Sequence, residues 1–546
     1  MVTTDNNDRP STPGRQTVLE MINLQRRIFE RHRAAIEASE FHLTPGFSRY
    51  RNAYLRAVSN FRSFSGFGAL CDAIARAQIA YIADYHTLRL SQRTFAKIIR
   101  GVMQQVDNIC LCMEFVPIEH QDTLDRFMVG RIAEKTFLKR IRYREHWPYD
   151  IWPNFKPIFE LATDQGLPVI ALDGDPALSL PKRDHLAAKR IFSAYKQHPQ
   201  STFLVFTGQM HVTPSHLPKA VDRLFIRANR PLPKRTIVYQ NAEEIYWRLA
   251  EERREDVEVV QIDDESYCVN NTPPLVQQLS YLHWIHYDED LLEYTELQST
   301  VQTVIRTIGK FLQLPFRTAS RTVRVLVPGD LDLVQAIEDG LLAQYEKEQI
   351  IASVESDQSA CIPILSAIYL ATLSLNHAAE EAAHYLRQYV SQAVVPKDLK
   401  DRFYFYVINE ACGFLGSKII NPKRKTEHLG KLRQIVAHSR KRKGKRKAFE
   451  KAAEFALAHI TFEIHQRPIQ RKTATLIKDP TVFNAASHIL GYILGDKLYY
   501  ALTSGIFSKS KVKELFLAPL DNPGEAMNVY FDLTMKIANV SIPNRI

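Results

Sequence analysis

The sequence predicts an α/β fold, a mainly parallel sheet flanked by helices in the N-terminal half, followed by a mainly α-helical C-terminal domain. Three observations predict it. Short apolar runs at Ile79–Ile82, Ile109–Met113, Pro168–Leu172 and Thr202–Phe206 alternate with amphipathic helical runs, the pattern of a parallel sheet with right-handed helical crossovers. After Asn271-Thr-Pro-Pro274 the strand signals almost vanish and long helix-periodic runs take over. At 546 residues the chain also exceeds the roughly 250 to 300 at which a single core stops growing.

Residues 1 to 15 are polar with prolines and a glycine, the composition of a disordered tail. Residues 16–74 are expected to form N-terminal helices packing on the sheet, because apolar residues recur at helical spacing in Thr17–Ser39 and again in Tyr50–Ala77. The α/β domain occupies 75–270. Its first strand, Ile79–Ile82, is followed by a helix over Ser91–Gln105, and its second, Ile109–Met113, by helical runs at His120–Phe127 and Glu134–Arg140. An aromatic segment from Trp147 to Trp152 follows, and a helix resumes over Asn154–Gln165. Strand Pro168–Leu172 leads through Asp173-Gly-Asp to a helix over Arg183–Gln197, and strand Thr202–Phe206 leads to Thr207-Gly-Gln-Met-His211. Further strands are expected at Thr236–Tyr239 and Val257–Ile262, around a helix near Ala242–Glu252. Residues 275–546 form the mainly helical domain.

Composition narrows the class. Hydrophobic residues at 45% and charged residues at 24% are ordinary for a folded domain. The N-terminus lacks the basic start and apolar core of a signal peptide, and no stretch holds about 18 uninterrupted apolar residues, so a cytoplasmic location is expected. The six cysteines form neither a C-x-x-C pair nor a zinc-ligand spacing, which fits a reducing compartment. Cys110 and Cys112 alternate along one strand and are expected to pack as small hydrophobes. Much of the +11 net charge is local, in Lys423–Lys425 and in 440–447. That second run has no aromatic interleaving, so a solvated helix end or loop is expected, and it suggests nucleic acid or an anionic surface only weakly.

Four polar residues gather at strand ends: Asp84 and His86 after the first strand, Glu114 after the second and His211 after the fourth. Ligands of parallel sheets bind beyond the carboxyl ends of the strands. Two imidazoles and two carboxylates suit a divalent metal or general acid-base work. Any one of them alone reads as a cap or a buried loop hydrogen bond, whereas four on three strand ends form a site that capping does not require. Asp184, with Arg183, is expected to open a helix, where its carboxylate satisfies free backbone donors. Tyr85, Trp147, Tyr149 and Trp152 either wall a flat apolar pocket or belong to the core. His216 is expected to be a helix-start residue, and His120, His146 and His185 to be solvated.

Ile82-Ala-Asp-Tyr-His86, Met113-Glu-Phe115, Arg183-Asp184 and Gly208-Gln-Met-His211 resemble the motif series of the ChaN-like haem-binding domains, within the superfamily of the Tiki metalloproteases, TraB-like proteins and erythromycin esterases. The resemblance covers 75–265. His86, Glu114 and His211 match, but Ala83-Asp84 stands where Gly-Glu is common, a carboxylate shorter by one methylene.

The resemblance implies a pocket for haem or another iron-bearing ligand, with Tyr85, Trp147, Trp152, Arg183 and Asp184 as ligand-binding residues. It equally implies a metal-dependent hydrolase in which Asp84, His86, Glu114 and His211 hold Mn, Co or Zn, with Glu114, His86 and His211 as catalytic residues and Glu114 as the base. The esterase branch implies a metal-free alternative with a histidine base, and a decayed site with a scaffold role is the plain alternative. In the haem reading the helical half would serve as an interaction or homodimerisation domain.

Overall fold

A computed structural model describes residues 13–39, 45–147, 150–285, 292–316, 323–326, 347, 350–351, 358–371, 374–427, 429–441, 447–465, 467 and 469–542. They divide into two units, Met1–Ile28 with Glu289–Asn544 and Phe29–Asp288. The division falls inside the first helix, Pro13–Ser39, so that helix does not belong whole to the sheet domain. The expected tail lies outside the described residues up to residue 12. Tyr149 and most of the basic run, 442–446, also lie outside them.

The second unit is built on eight strands: β1 (Ser63–Ser65), β2 (Ile79–Asp84), β3 (Ile109–Pro117), β4 (Val169–Asp173), β5 (Thr202–Gly208), β6 (Arg235–Gln240), β7 (Val259–Gln261) and β8 (Ser266–Val269). Their order is β1-β7-β8-β6-β2-β5-β3-β4. From β8 to β4 every pairing is parallel, while β7 runs antiparallel to both β8 and β1. Every residue of β2 and β3 is buried, as strands covered by helices on both faces require.

Connections leaving β2 and β3 run one way along the sheet, and those leaving β4, β5 and β6 run the other. Right-handed crossovers therefore place the two groups of helices on opposite faces. Ala80 and Ile82 of β2, with Leu111, Met113 and Phe115 of β3, pack against the helices Arg89–Val102 and Trp152–Asp164. Tyr81 and Ala83, with Cys110 and Cys112, pack on the other side against Leu180–Gln197 and Leu217–Arg227. The two cysteines are small core residues, as expected.

Two strands differ in extent from the sequence reading in a way that matters for the site. β2 runs on to Asp84 and β3 to Pro117, so Asp84 and Glu114 lie within strands. Glu114, Phe115 and Val116 are all covered, and β3 rejoins β4 at Pro117 and Asp173 across a register shift after Met113. By the alternation of side chains along β3, Glu114 faces the same side as Cys110 and Cys112, toward Leu180–Gln197.

The other unit is mainly helical. Leu399–Ile420 packs against Leu375–Ser391 and Pro480–Ser504. Close approach depends on glycines: a methyl group at Gly495 would stand 2.6 Å from the Ala411 carbonyl oxygen, and one at Gly416 2.4 Å from the Ala383 Cβ. Three short strands, β9 (Arg324–Leu326), β10 (Ala360–Ile362) and β11 (Ala367–Tyr369), form a small sheet beside these helices.

Candidate functional site

The carboxyl ends of β2, β3, β4 and β5 line one cavity of about 600 Å³ with Asp84, Glu114, Asp173 and Gly208. Asp84, the last residue of β2, accepts from the Gln92 amide at 2.6 Å through Oδ1 and from His86 Nδ1 at 2.8 Å through Oδ2. Both of its oxygens are thus engaged, one by the following helix and one by the imidazole two residues on. With Nδ1 carrying the proton, His86 keeps Nε2 as a lone-pair nitrogen.

His211 is held in the same way from the other face. It sits in the turn directly after β5, closed by its N–H to the Gly208 carbonyl at 2.9 Å, and its Nδ1 donates to Asp184 Oδ1 at 2.6 Å. Asp184 Oδ2 accepts from the Tyr50 hydroxyl. The helix begins at Leu180, three residues before Arg183, so Asp184 lies behind His211 and caps nothing. It does not line the cavity.

Glu114 stands between these imidazoles. Its Oε1 accepts from Arg183 Nη2 at 2.6 Å, and its Oε2 from the Thr207 hydroxyl at 2.5 Å and the Gly208 N–H at 2.6 Å. His211 Nε2 lies 3.6 Å from Oε1. A methyl group at Gly208 would stand 3.4 Å from Glu114 Oε2 and 3.5 Å from both His86 Nε2 and His211 Cδ2. Gly208 therefore marks the point where three of the four sequence-derived residues meet.

The electrostatics follow from this crowding. Burial raises the cost of charge on Glu114, but His211, Arg183, His86 and the Gly208 N–H outweigh it and hold the carboxyl well below its usual range. Burial likewise opposes charge on His86 and His211, yet Asp84 raises the first above its ordinary value, while Glu114 and Asp184 raise the second. Arg183 also binds Asp173 Oδ1 at 2.9 Å, and Asp173 Oδ2 takes His146 Nε2 at 2.6 Å.

Several residues fall elsewhere than the sequence suggested. His146 is not solvated, because it closes this network through Asp173. His216 stands directly before the helix Leu217–Arg227, as expected, where it stacks on Tyr50 with ring centroids 3.5 Å apart and bonds the Met210 carbonyl at 2.7 Å. Trp147 lines the cavity, edge-on to His86 with centroids 5.0 Å apart. Trp152 does not line it: its ring packs on Phe115, Phe127 and Phe159, and its Nε1 donates to Glu134 at 2.8 Å. Tyr85 lines the cavity with Tyr54, Met210 and Tyr281.

Tyr50, Gln92, His146, Asp173 and Thr207 join the network without having been singled out for it. Asp173 carried the same signal as Asp84, a carboxylate at the end of an apolar strand. Tyr50 carried none, since only the fold brings its helix, Pro45–Ala57, to the His211 turn.

No curated protein and no solved structure is significantly similar to the chain. Residues 70–179 match the model of a family described as haem-binding uptake, Tiki superfamily, ChaN. That segment contains Asp84, His86, Glu114, Trp147 and Asp173, while Arg183, Asp184 and His211 follow it; the similarity to the family covers this segment of the sheet unit.

Proposed function

We propose that the sheet unit binds haem or another iron- or metal-bearing ligand in the strand-end cavity. The observation that carries this is the pair of aspartate-held imidazoles: Asp84 fixes Nδ1 of His86 and Asp184 fixes Nδ1 of His211, so that Nε2 of His86 lies beside Gly208 and Nε2 of His211 beside Glu114. A carboxylate behind a histidine sets its tautomer and raises its basicity as a ligand. The cavity suits a flat apolar molecule in size and walls, at about 600 Å³ with Tyr54, Tyr85, Trp147 and Tyr281 around it. His86 would hold the iron, which supplies a Lewis-acidic centre with an exchangeable position. Asp84 acts through His86, and Trp147 limits the tilt of its ring.

A metal-dependent hydrolase is the second reading, favoured by His211 Nε2 lying 3.6 Å from Glu114 Oε1. A divalent Mn, Co or Zn ion held there by His86, His211 and Glu114 would supply Lewis acidity. Asp84 has both oxygens engaged, so its part would be to orient His86. Glu114, with three hydrogen bonds and a depressed pKa, is a poor proton acceptor, and a base role would fall to an imidazole.

A cytoplasmic setting accords with six cysteines that form no disulfide, and no described helix is long and apolar enough to cross a membrane. Homodimerisation through the helical unit stays part of this proposal, with the oligomeric state in solution as its check. Within the basic run, Arg440 pairs with Glu454 at 2.8 Å, which favours a solvated helix end over nucleic acid or an anionic surface.

The test is the metal content and visible spectrum of untagged full-length protein before and after haemin, with His86→Ala and His211→Ala alongside. A Soret band that depends on His86, with no other metal bound, is expected. Stoichiometric Mn, Co or Zn lost in both variants, with turnover abolished by chelator, would instead establish the hydrolase.

A further inference from the structure

The helical unit has a cavity of its own, of about 820 Å³, lined by Glu380, Glu381, His384, Glu410 and His488. These come from three packed helices, Leu375–Ser391, Leu399–Ile420 and Pro480–Ser504. A methyl group at Gly491 would stand 2.3 Å from the Glu410 Cβ, so the helix carrying His488 lies directly on the one carrying Glu410. One potential ligand atom each from Glu380, Glu410 and His488 lie within 4.8 Å of one another.

The hydrogen bonds around this cluster leave it incomplete. His488 Nδ1 meets Glu410 Oε2 at 2.9 Å, and His384 Nδ1 meets Glu381 Oε2 at 3.1 Å. Glu380 Oε2 accepts from Arg424 at 2.6 Å, and the same guanidinium nitrogen donates to the Tyr492 hydroxyl at 2.6 Å. The second Glu380 oxygen and Nε2 of His384 are buried without a hydrogen-bond partner, in residues only 3% and 7% exposed. Oε1 of Glu380 is thus a buried acceptor without a donor beside a cavity that Glu381 and Glu410 also line, an arrangement that a bound cation would satisfy.

We propose that Glu380, Glu410 and His488 bind a divalent first-row transition-metal ion, at a site separate from the strand-end cavity. Two carboxylates and an imidazole suit Mn, Fe, Co or Zn, whereas Mg and Ca prefer oxygen donors throughout. Side chains projecting inward from facing helices are the usual source of metal sites in bundles. Three protein ligands leave coordination positions open toward the cavity, so a small ligand can reach the ion.

The test uses cobalt(II) on chelator-treated full-length protein and on its His86→Ala/His211→Ala variant, which removes the two candidate ligand imidazoles of the strand-end cavity. Calorimetry and cobalt visible absorption should show a saturable site in both proteins, weakened at least about tenfold by Glu410→Gln and by His488→Asn in that background. X-ray absorption of the cobalt-loaded parent should show an all-N/O shell containing imidazole, which keeps the test decisive where a substitution prevents folding. Absence of saturable binding in the parent, binding unchanged in both variants, or a shell without imidazole would overturn the proposal. Failure of haemin binding would leave it untouched, because the two sites share no residue.

Discussion

At Gly208 the absence of a side chain has a chemical purpose, since its missing Cβ would stand 3.4 to 3.5 Å from Glu114, His86 and His211. Those distances are ordinary van der Waals contacts, so Gly208→Ala should fold, with a change in stability within about 1 kcal/mol in either direction. The added methyl occupies the space an ion or iron would approach, and haemin affinity is expected to fall by about tenfold or more. A thermal melt and a titration of the same sample separate the two effects. Glu114→Gln leaves Arg183 facing a neutral partner in a buried network, and should cost about 3–5 kcal/mol at neutral pH. Its carboxyl is depressed, so the stability it contributes is present above the unfolded value near ~4.3 and is lost as pH falls. The gap between wild type and Glu114→Gln in melts should therefore narrow in acid. His211 is raised and has the opposite sign: its contribution is full below its unfolded value near ~6.5 and is lost as pH rises through the folded value. The gap for His211→Gln should narrow in alkali.

At the scale of elements, the sequence made β2, β3, β4 and β5 legible because each is a continuous apolar run between turn signals. It missed β1 and β8, three and four residues long, which carry too little periodicity to separate them from loop. Strand ends were harder than strands: Glu114 and Asp84 look like loop residues until burial shows that they extend β3 and β2. The segment between β3 and β4 was legible as an aromatic insertion, but not which rings face the cavity. Phe115, wholly buried, gathers Tyr143, Trp147, Trp152 and Phe155 around it, and its carbonyl accepts from Trp147 Nε1 at 3.2 Å. Phe115→Ala is expected to cost about 3–5 kcal/mol and to loosen Trp147 against His86, read as a lower melting temperature. Trp147, edge-on to His86, should be strongly quenched when haemin binds, and Trp147→Phe should remove most of that quenching. Equal quenching in the variant would place the ligand elsewhere.

At the scale of the molecule, the length and the change from alternating strand and helix runs to helical runs after residue 274 were enough to foresee an α/β part and a helical part. They could not show that the first helix is divided between the two, because its apolar periodicity runs unbroken past Ile28. The helical unit's close packing was likewise hidden, since a glycine inside a helix reads only as a local cost. In the structure Gly495 meets the Ala411 carbonyl oxygen and Phe414 Cβ, where backbone cannot yield easily. Gly495→Ala should destabilise that unit by about 1–3 kcal/mol while haemin binding by the sheet unit persists. The same separation explains why the resemblance to ChaN-like domains speaks for one unit only: the matched segment, 70–179, ends before the helical part begins.

The account rests on His86 presenting Nε2 to a ligand with Asp84 behind it. The most direct measurement is an equilibrium haemin titration of full-length wild type, His86→Ala and Asp84→Asn, followed by visible absorption and matched by far-ultraviolet circular dichroism. The account predicts a saturable Soret shift in wild type, its loss in His86→Ala and a weakening of about 10 to 100-fold in Asp84→Asn, with the fold retained in all three. Identical titration curves for wild type and His86→Ala, both folded, would contradict it.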